Sequence, residues 1–280
     1  MPIRFIWRIC KNFTVRSVCR EERDPMSGFY GKIPLVGDFV TRRLPSTFID
    51  PWDSWLQAAI ACSKEQLEEQ WLDVYLGSPI WRFVLSSGLC GDVPWAGAIM
   101  PSVDRVGRYF PLTVAVSTDR QSEPCLLAVD AIDWFQSAES ALLAVLEEEI
   151  SLEEFDQKLD ALGSVDSEEK VVATVEGEQL CIDAKDSPVW RVSISSVVDV
   201  KGVFTRLAHD FMSESLSRYS LWWTDGSDDM EPGFLVFNGL PPVKFYSSLL
   251  GGSGMSKPDG SNPDRSIDKQ AGAAEDEPDS

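Results

Sequence analysis

The sequence is poor in the residues that build metal centres and covalent active sites. It has one histidine, His209, and six cysteines that form no CxxC pair and no cluster. These residues offer no ligand pattern for a structural zinc or an iron–sulfur centre. A lone histidine in a helical stretch is more typical of surface or packing positions than of triad chemistry. The scattered cysteines favour reduced thiols in a cytosolic protein over a disulfide framework.

Long apolar runs are also missing. No stretch approaches 18 apolar residues, so the sequence predicts no membrane insertion. In the first twenty residues, MPIRFIWRICKNFTVRSVCR, basic side chains interrupt every apolar run, unlike the apolar core of a signal peptide. We therefore expect a cytoplasmic protein. The same stretch is compatible with an amphipathic surface helix, but an extension outside the fold is the simpler interpretation.

Basic charge is scarce, because 25 Lys and Arg stand against 45 Asp and Glu, a net charge of −20. Such a molecule repels nucleic acid and anionic membranes unless it carries a local basic patch. The acidity is concentrated in residues 121–187, which hold 18 acidic and three basic side chains. Solvated helix faces explain this segment as well as a basic partner does.

The sequence does not match common enzyme motifs, because residues that define each motif are missing. GFYGK is followed by Ile33 and is too short for a phosphate loop, no GxGxxG occurs after a strand, and GGSGM does not match a nucleophile elbow. We expect no cofactor, and these motifs give no support for an enzyme. A metal-dependent phosphoester hydrolase that uses Asp38 and Asp104 is the alternative from a different class.

Composition divides the chain into three parts. Residues 1–25 carry six basic and three acidic side chains and end at an Asp-Pro break, which predicts an extension before a domain that starts at Met26. Residues 251–280 have almost no apolar side chains and predict a disordered acidic tail. The predicted folded domain is 26–250.

Hydrophobic periodicity predicts alternating helices and strands within this domain. A helix is expected to begin at Asp50-Pro51 and a second to end at Gly77, followed by strands in IWRFVL, WAGAIM and YFPLTVAVS. Two more helices follow, the second opened by a Ser151–Glu154 capping box. VWRVSI, a helix from Val203, and the antiparallel strands LWWT and FLVF complete the pattern. This order favours a layered α/β domain with a mixed sheet.

Three segments, at 28–45, 94–111 and 221–227, combine Gly and Pro with aromatic and charged residues. We interpret them as loops that meet at one surface and present a basic, aromatic patch to a partner. The alternative is structural, with Asp38 pairing with Arg42 and Asp104 with Arg108 to fix the loops. The partner-binding candidates are Lys32, Asp38, Arg42, Arg43, Trp95, Asp104, Arg105, Arg108, Trp222 and Trp223.

The same segments resemble the TagF family, also called ImpM, of bacterial type VI secretion-associated proteins. The likeness lies in GFYGKIPLVGDFVTRRLP, the WDSWL helix, YLGSPIWRFVLSSG, PWAGAIMPSVDRVGRYFPLTVAV and SLWWTDGS followed by GLPP, in that order across about 26–250. The combination of GKxPxxGDF with PSxDxxGRxFP makes the resemblance specific.

The resemblance implies a three-layer αβα sandwich and a non-enzymatic role as a post-translational negative regulator of secretion-apparatus assembly. Its implied partner is a scaffold protein with a forkhead-associated domain. The resemblance supplies no catalytic residues and no defined binding surface. A structural accessory subunit of the secretion machine is the alternative, and residue patterns alone separate the two poorly.

Overall fold

Helices flank an open β-sheet in this computed structural model, which describes residues 26–118, 124–147, 150–165, 177–180, 189–192 and 200–252. The strands are β1 (Gly28–Gly31), β2 (Val40–Arg42), β3 (Trp81–Leu85), β4 (Trp95–Met100), β5 (Leu112–Ser117), β6 (Gly177–Leu180), β7 (Val189–Val192), β8 (Tyr219–Thr224) and β9 (Gly233–Asn238). The helices are α1 (Ser46–Leu67), α2 (Trp71–Leu76), α3 (Pro124–Asp130), α4 (Ile132–Leu146), α5 (Leu152–Asp160), α6 (Val200–Leu216) and α7 (Tyr246–Leu250).

Seven of these strands form one sheet in the order β2-β1-β5-β4-β3-β8-β9, and β6 pairs with β7 in a separate ribbon. The α/β class is confirmed, but the expected mixed sheet is not what forms. Every neighbouring pair in the seven-stranded sheet is antiparallel. The reason is that β1–β2, β3–β4–β5 and β8–β9 are each joined directly, and a direct connection reverses the chain.

The sheet buries both of its faces. Along β4, Ala96, Ala98 and Met100 pack into one hydrophobic cluster, whereas Trp95 and Ile99 pack into another. This alternation follows from the two-residue period of a strand. Helices α3, α4, α5 and α6 contribute to the first cluster, and α1, α2 and α7 contribute to the second. The three-layer αβα arrangement is therefore confirmed.

Helix α1 begins one turn earlier than predicted. It starts at Ser46 with Pro51 inside it, so the prediction of Asp50-Pro51 as cap and first turn is wrong. The Pro45 carbonyl accepts hydrogen bonds from the backbone N–H groups of Phe48 and Ile49. The ring of Phe48 is fully buried, 4.5 Å from that of Trp95. Burial of this ring stabilises the extra turn despite the hydrogen bond that Pro51 cannot donate.

Several other predicted elements are confirmed. The three central strands match β3, β4 and β5, the two long apolar patterns match α4 and α6, and β8 pairs with β9 as expected. The capping box at Ser151 and Glu154 is present at the start of α5. The expectations for residues 1–25, for the tail from 253 onward and for parts of the acidic segment fall outside the described residues. The domain boundaries therefore stay a prediction.

Candidate functional site: a charged loop cluster

Two loops meet beside the β2 edge of the sheet. One is residues 32–39, between β1 and β2, and the other is residues 101–111, between β4 and β5; together we call them the loop cluster. The backbone N–H of Arg105 donates to the Val36 carbonyl at 3.1 Å, and the Arg108 guanidinium donates to the Gly37 carbonyl. Segments about 70 residues apart in sequence are thereby joined at one place, as the sequence predicted for these two of its three segments.

Asp104 lies at the centre of the loop cluster and is only 3% exposed. Its Oδ2 atom accepts hydrogen bonds from Lys32 Nζ and from Arg108 Nε, both at 2.7 Å. Its Oδ1 atom accepts from the backbone N–H groups of Val106 at 3.0 Å and Arg108 at 2.8 Å. One carboxylate therefore fixes both loops, because its four hydrogen bonds reach Lys32 on one and the turn on the other.

These contacts control the ionisation of Asp104. Burial by itself raises the pKa of a carboxyl group, but the hydrogen bonds from Lys32 and Arg108 outweigh it and hold the pKa of Asp104 well below its usual range. The side chain is therefore a carboxylate at any physiological pH. Lys32, itself 4% exposed, has its counter-charge at hydrogen-bonding distance.

The DRVGR sequence explains the shape of the second loop. Val103 and Tyr109 form an isolated antiparallel bridge that closes the loop. Inside it, the Asp104 N–H donates to the Arg108 carbonyl at 3.0 Å, and Gly107 takes a positive φ of 84°. A glycine adopts this conformation without the strain of a side chain. The turn directs Arg105 and Val106 outward, where both are exposed.

Aromatic side chains pack together at the first loop. The ring of Phe39 lies 5.8 Å from that of Tyr30 and 4.8 Å from that of Phe110, and Lys32 Nζ lies 5.0 Å above its face. The Tyr30 hydroxyl donates to Asp53 at 2.6 Å on α1. Burial and the neighbouring Asp53 carboxylate raise the pKa of Tyr30. The hydroxyl therefore stays protonated and ties the loop cluster to the helix layer behind it.

The outer surface of the loop cluster carries exposed arginines and apolar side chains, together with one exposed carboxylate, Asp38. The Arg108 side chain is 55% exposed, and Arg105 is exposed at the tip of the turn. Arg42 is exposed on the edge strand β2 that follows the first loop. Two apolar side chains lie among these cations, Phe39 at 45% and Val106 at 64% exposure. A surface of this composition is chemically suited to an acidic partner, because arginine and aromatic residues are frequent interface anchors.

Four of the predicted partner-binding residues lie outside the loop cluster. Arg43 donates to the Ser27 carbonyl at 2.7 Å and to Asp156 Oδ1 at 2.6 Å, so it joins the sheet edge to α5. Trp95 and Trp222 are 4% and 1% exposed within the second hydrophobic cluster. Trp223 packs between other aromatic rings on the opposite face of the sheet. The third predicted loop therefore does not join the other two through its tryptophans.

The alternative that these acids pair with arginines to fix the loops is correct for Asp104 and wrong for Asp38. Asp104 pairs with Arg108, as expected from the i,i+4 spacing. Within residues 26–118, Asp38 and Arg42 do not form the ion pair that was considered. Asp38 instead accepts a hydrogen bond from the backbone N–H of Phe39 at 2.8 Å, and Arg42 donates to the Thr41 carbonyl at 3.0 Å.

The hydrolase alternative has no supporting geometry at Asp104. Both carboxylate oxygens accept hydrogen bonds from Lys32, Arg108 and two backbone amides, and the two cations oppose an incoming metal ion. Among the described residues, no group of three or more His, Cys, Asp or Glu side chains is placed to hold a metal.

Phe39 and Val106 were missed as candidates. Sequence reasoning selected charged residues and tryptophans, whereas a single exposed Phe or Val carries no local signal. Their position in the glycine-flanked stretches VGDF and DRVG is the feature that suggests loop tips.

Comparison with known proteins identifies a family and a similar structure. The TagF N-terminal domain, described as Type VI secretion system-associated, matches residues 28–162, which include the whole loop cluster. The crystal structure of PA0076 from Pseudomonas aeruginosa PAO1 is similar, with 36% identity, a TM-score of 0.64, and coverage of 83% of this chain and 97% of that chain. The search of curated proteins gave no match.

The chain therefore belongs to the TagF family of type VI secretion system-associated proteins. In the part of the chain that the structure describes, no helix has both the length and the apolar character of a membrane span.

Proposed function

We propose that this protein is a cytoplasmic negative regulator of type VI secretion that acts by binding a scaffold protein with a forkhead-associated domain. Membership of a type VI secretion-associated family supports the setting, and the resemblance noted from the sequence supplies the partner. Inhibition needs affinity only, because an occupied scaffold cannot recruit the components that build the apparatus. The proposal requires no catalysis and no cofactor.

The observation that carries the proposal is the prebuilt loop cluster. Asp104, Lys32 and Arg108 hold two loops in one geometry, so the loops lose little conformational freedom when a partner binds. The fixed turn presents Arg105 and Val106, and the first loop presents Phe39. On a chain with net charge −20, this surface attracts an acidic patch that the rest of the molecule repels.

Affinity capture tests the partner. The tagged full chain is incubated with lysate of the source bacterium, and the retained proteins are identified by mass spectrometry. The variant Arg105→Glu serves as the binding-defective comparison. Lys244→Glu, at an exposed position just before α7 and outside the loop cluster, serves as the matched charge control. We expect the scaffold in the wild-type and Lys244→Glu samples and much less of it with Arg105→Glu.

Two outcomes oppose the proposal. Recovery of sheath or baseplate proteins in place of the scaffold supports a structural accessory subunit. Equal recovery of the scaffold with all three proteins keeps the partner but removes the loop cluster as the binding surface.

A further inference from the structure

Strand β9 forms one edge of the seven-stranded sheet and carries nothing that opposes the addition of another strand. It is six residues long and contains no charged residue and no proline. Among the strands that the structure describes, none pairs with its outer side. Natural edge strands are usually protected by charge, proline, a bulge or short length, unless another strand covers them. The β9 edge is therefore suited to pairing.

The opposite edge of the sheet is protected. Strand β2 is three residues long, and both Thr41 and Arg42 are exposed on it. The next residue, Arg43, takes a positive φ of 59°, so the extended backbone ends there. A short strand that carries an arginine opposes the addition of another strand. The contrast identifies β9 as the edge at which the sheet can be extended.

One face of β9 is also uncovered. Helix α6 packs over β8, one strand in from the edge, and leaves Phe234 and Val236 of β9 at 56% and 40% exposure. Phe234 lines an open apolar groove of about 360 Å³ between α3, α6, β8 and β9, together with Phe204 of α6, which is 68% exposed. Exposed apolar surface of this kind marks an interaction site.

The β9 strand is complementary to itself. When two copies pair antiparallel with Leu235 on the twofold axis, Phe234 of each copy lies opposite Val236 of the other, on the same face of the sheet. Aromatic and β-branched side chains in such cross-strand pairs stabilise a sheet. We propose that two copies of this chain form a dimer through antiparallel pairing of their β9 strands. The proposal goes beyond scaffold binding and concerns a different surface.

The charge of the chain permits this pairing, although the net charge is −20. The acidic residue closest in sequence to β9 is Glu231, which is exposed. In the proposed register Glu231 lies level with Gly239 of the other copy, so the two Glu231 positions are about 27 Å apart along the strands. Charges at this distance are screened, because the Debye length is about 8 Å at physiological salt.

The exposed apolar area favours a second copy over a single added peptide strand. Phe211, at 71% exposure, lies two turns after Phe204 on the same side of α6. With Phe234, these rings expose roughly 400 Å² in each copy, about half of what each partner buries in a stable interface.

A dimer covers these rings, whereas a peptide strand leaves them exposed. In the dimer, the two β8 strands beneath the α6 helices are three strand-to-strand steps apart, or about 14 Å. Helices in direct contact lie roughly 8–10 Å apart. The wider space between the two α6 helices matches phenylalanine rings contributed by both copies.

Sedimentation velocity of the full chain over a concentration series tests the dimer. We expect wild type to dimerise, and Phe234→Lys and Val236→Lys each to weaken the dimer at least tenfold, because an edge lysine opposes pairing. The matched control is Leu76→Lys, at a 53% exposed apolar position on α2 in the opposite layer, and it should dimerise like wild type. Equal dimerisation of all four proteins contradicts the proposal. So does a wild type that stays monomeric at about 100 μM, which leaves the edge for a strand of a different protein.

Hydrogen exchange at low and high protein concentration locates the interface. We expect amides 233–238 of wild type and Leu76→Lys to exchange roughly threefold more slowly when the dimer is populated, with β3–β5 unchanged. Val236→Lys should show no such dependence on concentration. A dimer that leaves the exchange of amides 233–238 unchanged overturns the proposal, because it forms through another surface.

Discussion

Asp104 organises the loop cluster by means of a single carboxylate. Its partners come from two parts of the chain. One is Lys32 after β1, and the other is the turn, which supplies two amides and the Arg108 guanidinium. That guanidinium also reaches the Gly37 carbonyl. Loss of the carboxylate therefore separates the two loops and leaves Lys32 buried without a counter-charge.

We expect Asp104→Asn to lower the melting temperature at pH 7 by roughly 5–10 °C. The folded pKa of Asp104 lies below the ordinary value, so its stabilisation is complete above the unfolded pKa of about 3.9 and decreases as the pH falls through the window below it. The difference in melting temperature between wild type and Asp104→Asn should thus become smaller below about pH 4. Thermal melts from pH 7 to pH 3 measure this difference. A difference that does not change with pH contradicts this account.

Arg43 has a structural role despite its place in a basic stretch. We expect Arg43→Met to reduce the free energy of unfolding by about 1–3 kcal/mol, because the guanidinium donates to Ser27 and to two oxygens of Asp156. The exposed neighbour change Arg42→Met should stay within about 0.5 kcal/mol of wild type. Urea unfolding measures both. Equal stability of the two variants would show that the Arg43 contacts contribute nothing.

At the scale of elements, strand β4 requires a glycine at position 97 for steric reasons that composition does not reveal. The strand contains Gly97, which lies opposite Phe83 on β3 and Ala115 on β5. A Cβ atom at position 97 would overlap the ring of Phe83 and lie 2.6 Å from the Val114 carbonyl oxygen. The missing side chain makes room for this ring at the centre of the sheet.

We expect Gly97→Ala to destabilise the fold by about 1–3 kcal/mol, since the Phe83 ring has to move within a packed core. Gly37→Ala is the control, because its Cβ would meet only Val106 at 3.6 Å. Chemical denaturation of the two variants gives the comparison. The steric account fails if Gly97→Ala is as stable as Gly37→Ala.

Sequence patterns identified elements where periodicity and burial agree. The strands β3, β4 and β5 are mostly apolar because both faces of the sheet are covered, and α4 has a helical period. The strands β1 and β2 were not predicted, because both are short and β1 begins and ends with glycine. Strand β2 pairs with β1, and β1 pairs with the distant β5, where Phe29 lies opposite Val114.

The candidate site was only partly predictable for a similar reason. Local spacing predicted the pair Asp104–Arg108, since the two residues lie in one turn. The partners Lys32 and Asp104 are 72 residues apart, and no local pattern links them. Tryptophan abundance was misleading, because Trp95 and Trp222 supply core volume on the α1 side of the sheet.

At the scale of the whole molecule, charge and architecture place two different surfaces on one domain. The loop cluster lies beside the β2 edge of the sheet and combines arginines with Phe39 and Val106. An apolar groove between α3, α6, β8 and β9 lies near the β9 edge. Because opposite edges of the sheet carry them, the two surfaces can be altered independently by mutation.

Titration of the purified scaffold protein into this chain by calorimetry tests the central claim most directly. The variants are Arg42→Glu and Arg105→Glu, whose side chains make no contact with Asp104 in the described loops, with Lys244→Glu as control. Arg108 is unsuitable, because its Nε atom bonds Asp104. We predict that each loop variant weakens the affinity at least tenfold. Melting temperatures should stay within about two degrees of wild type. Equal affinity of all variants, or no binding by wild type, would contradict scaffold recognition through the loop cluster.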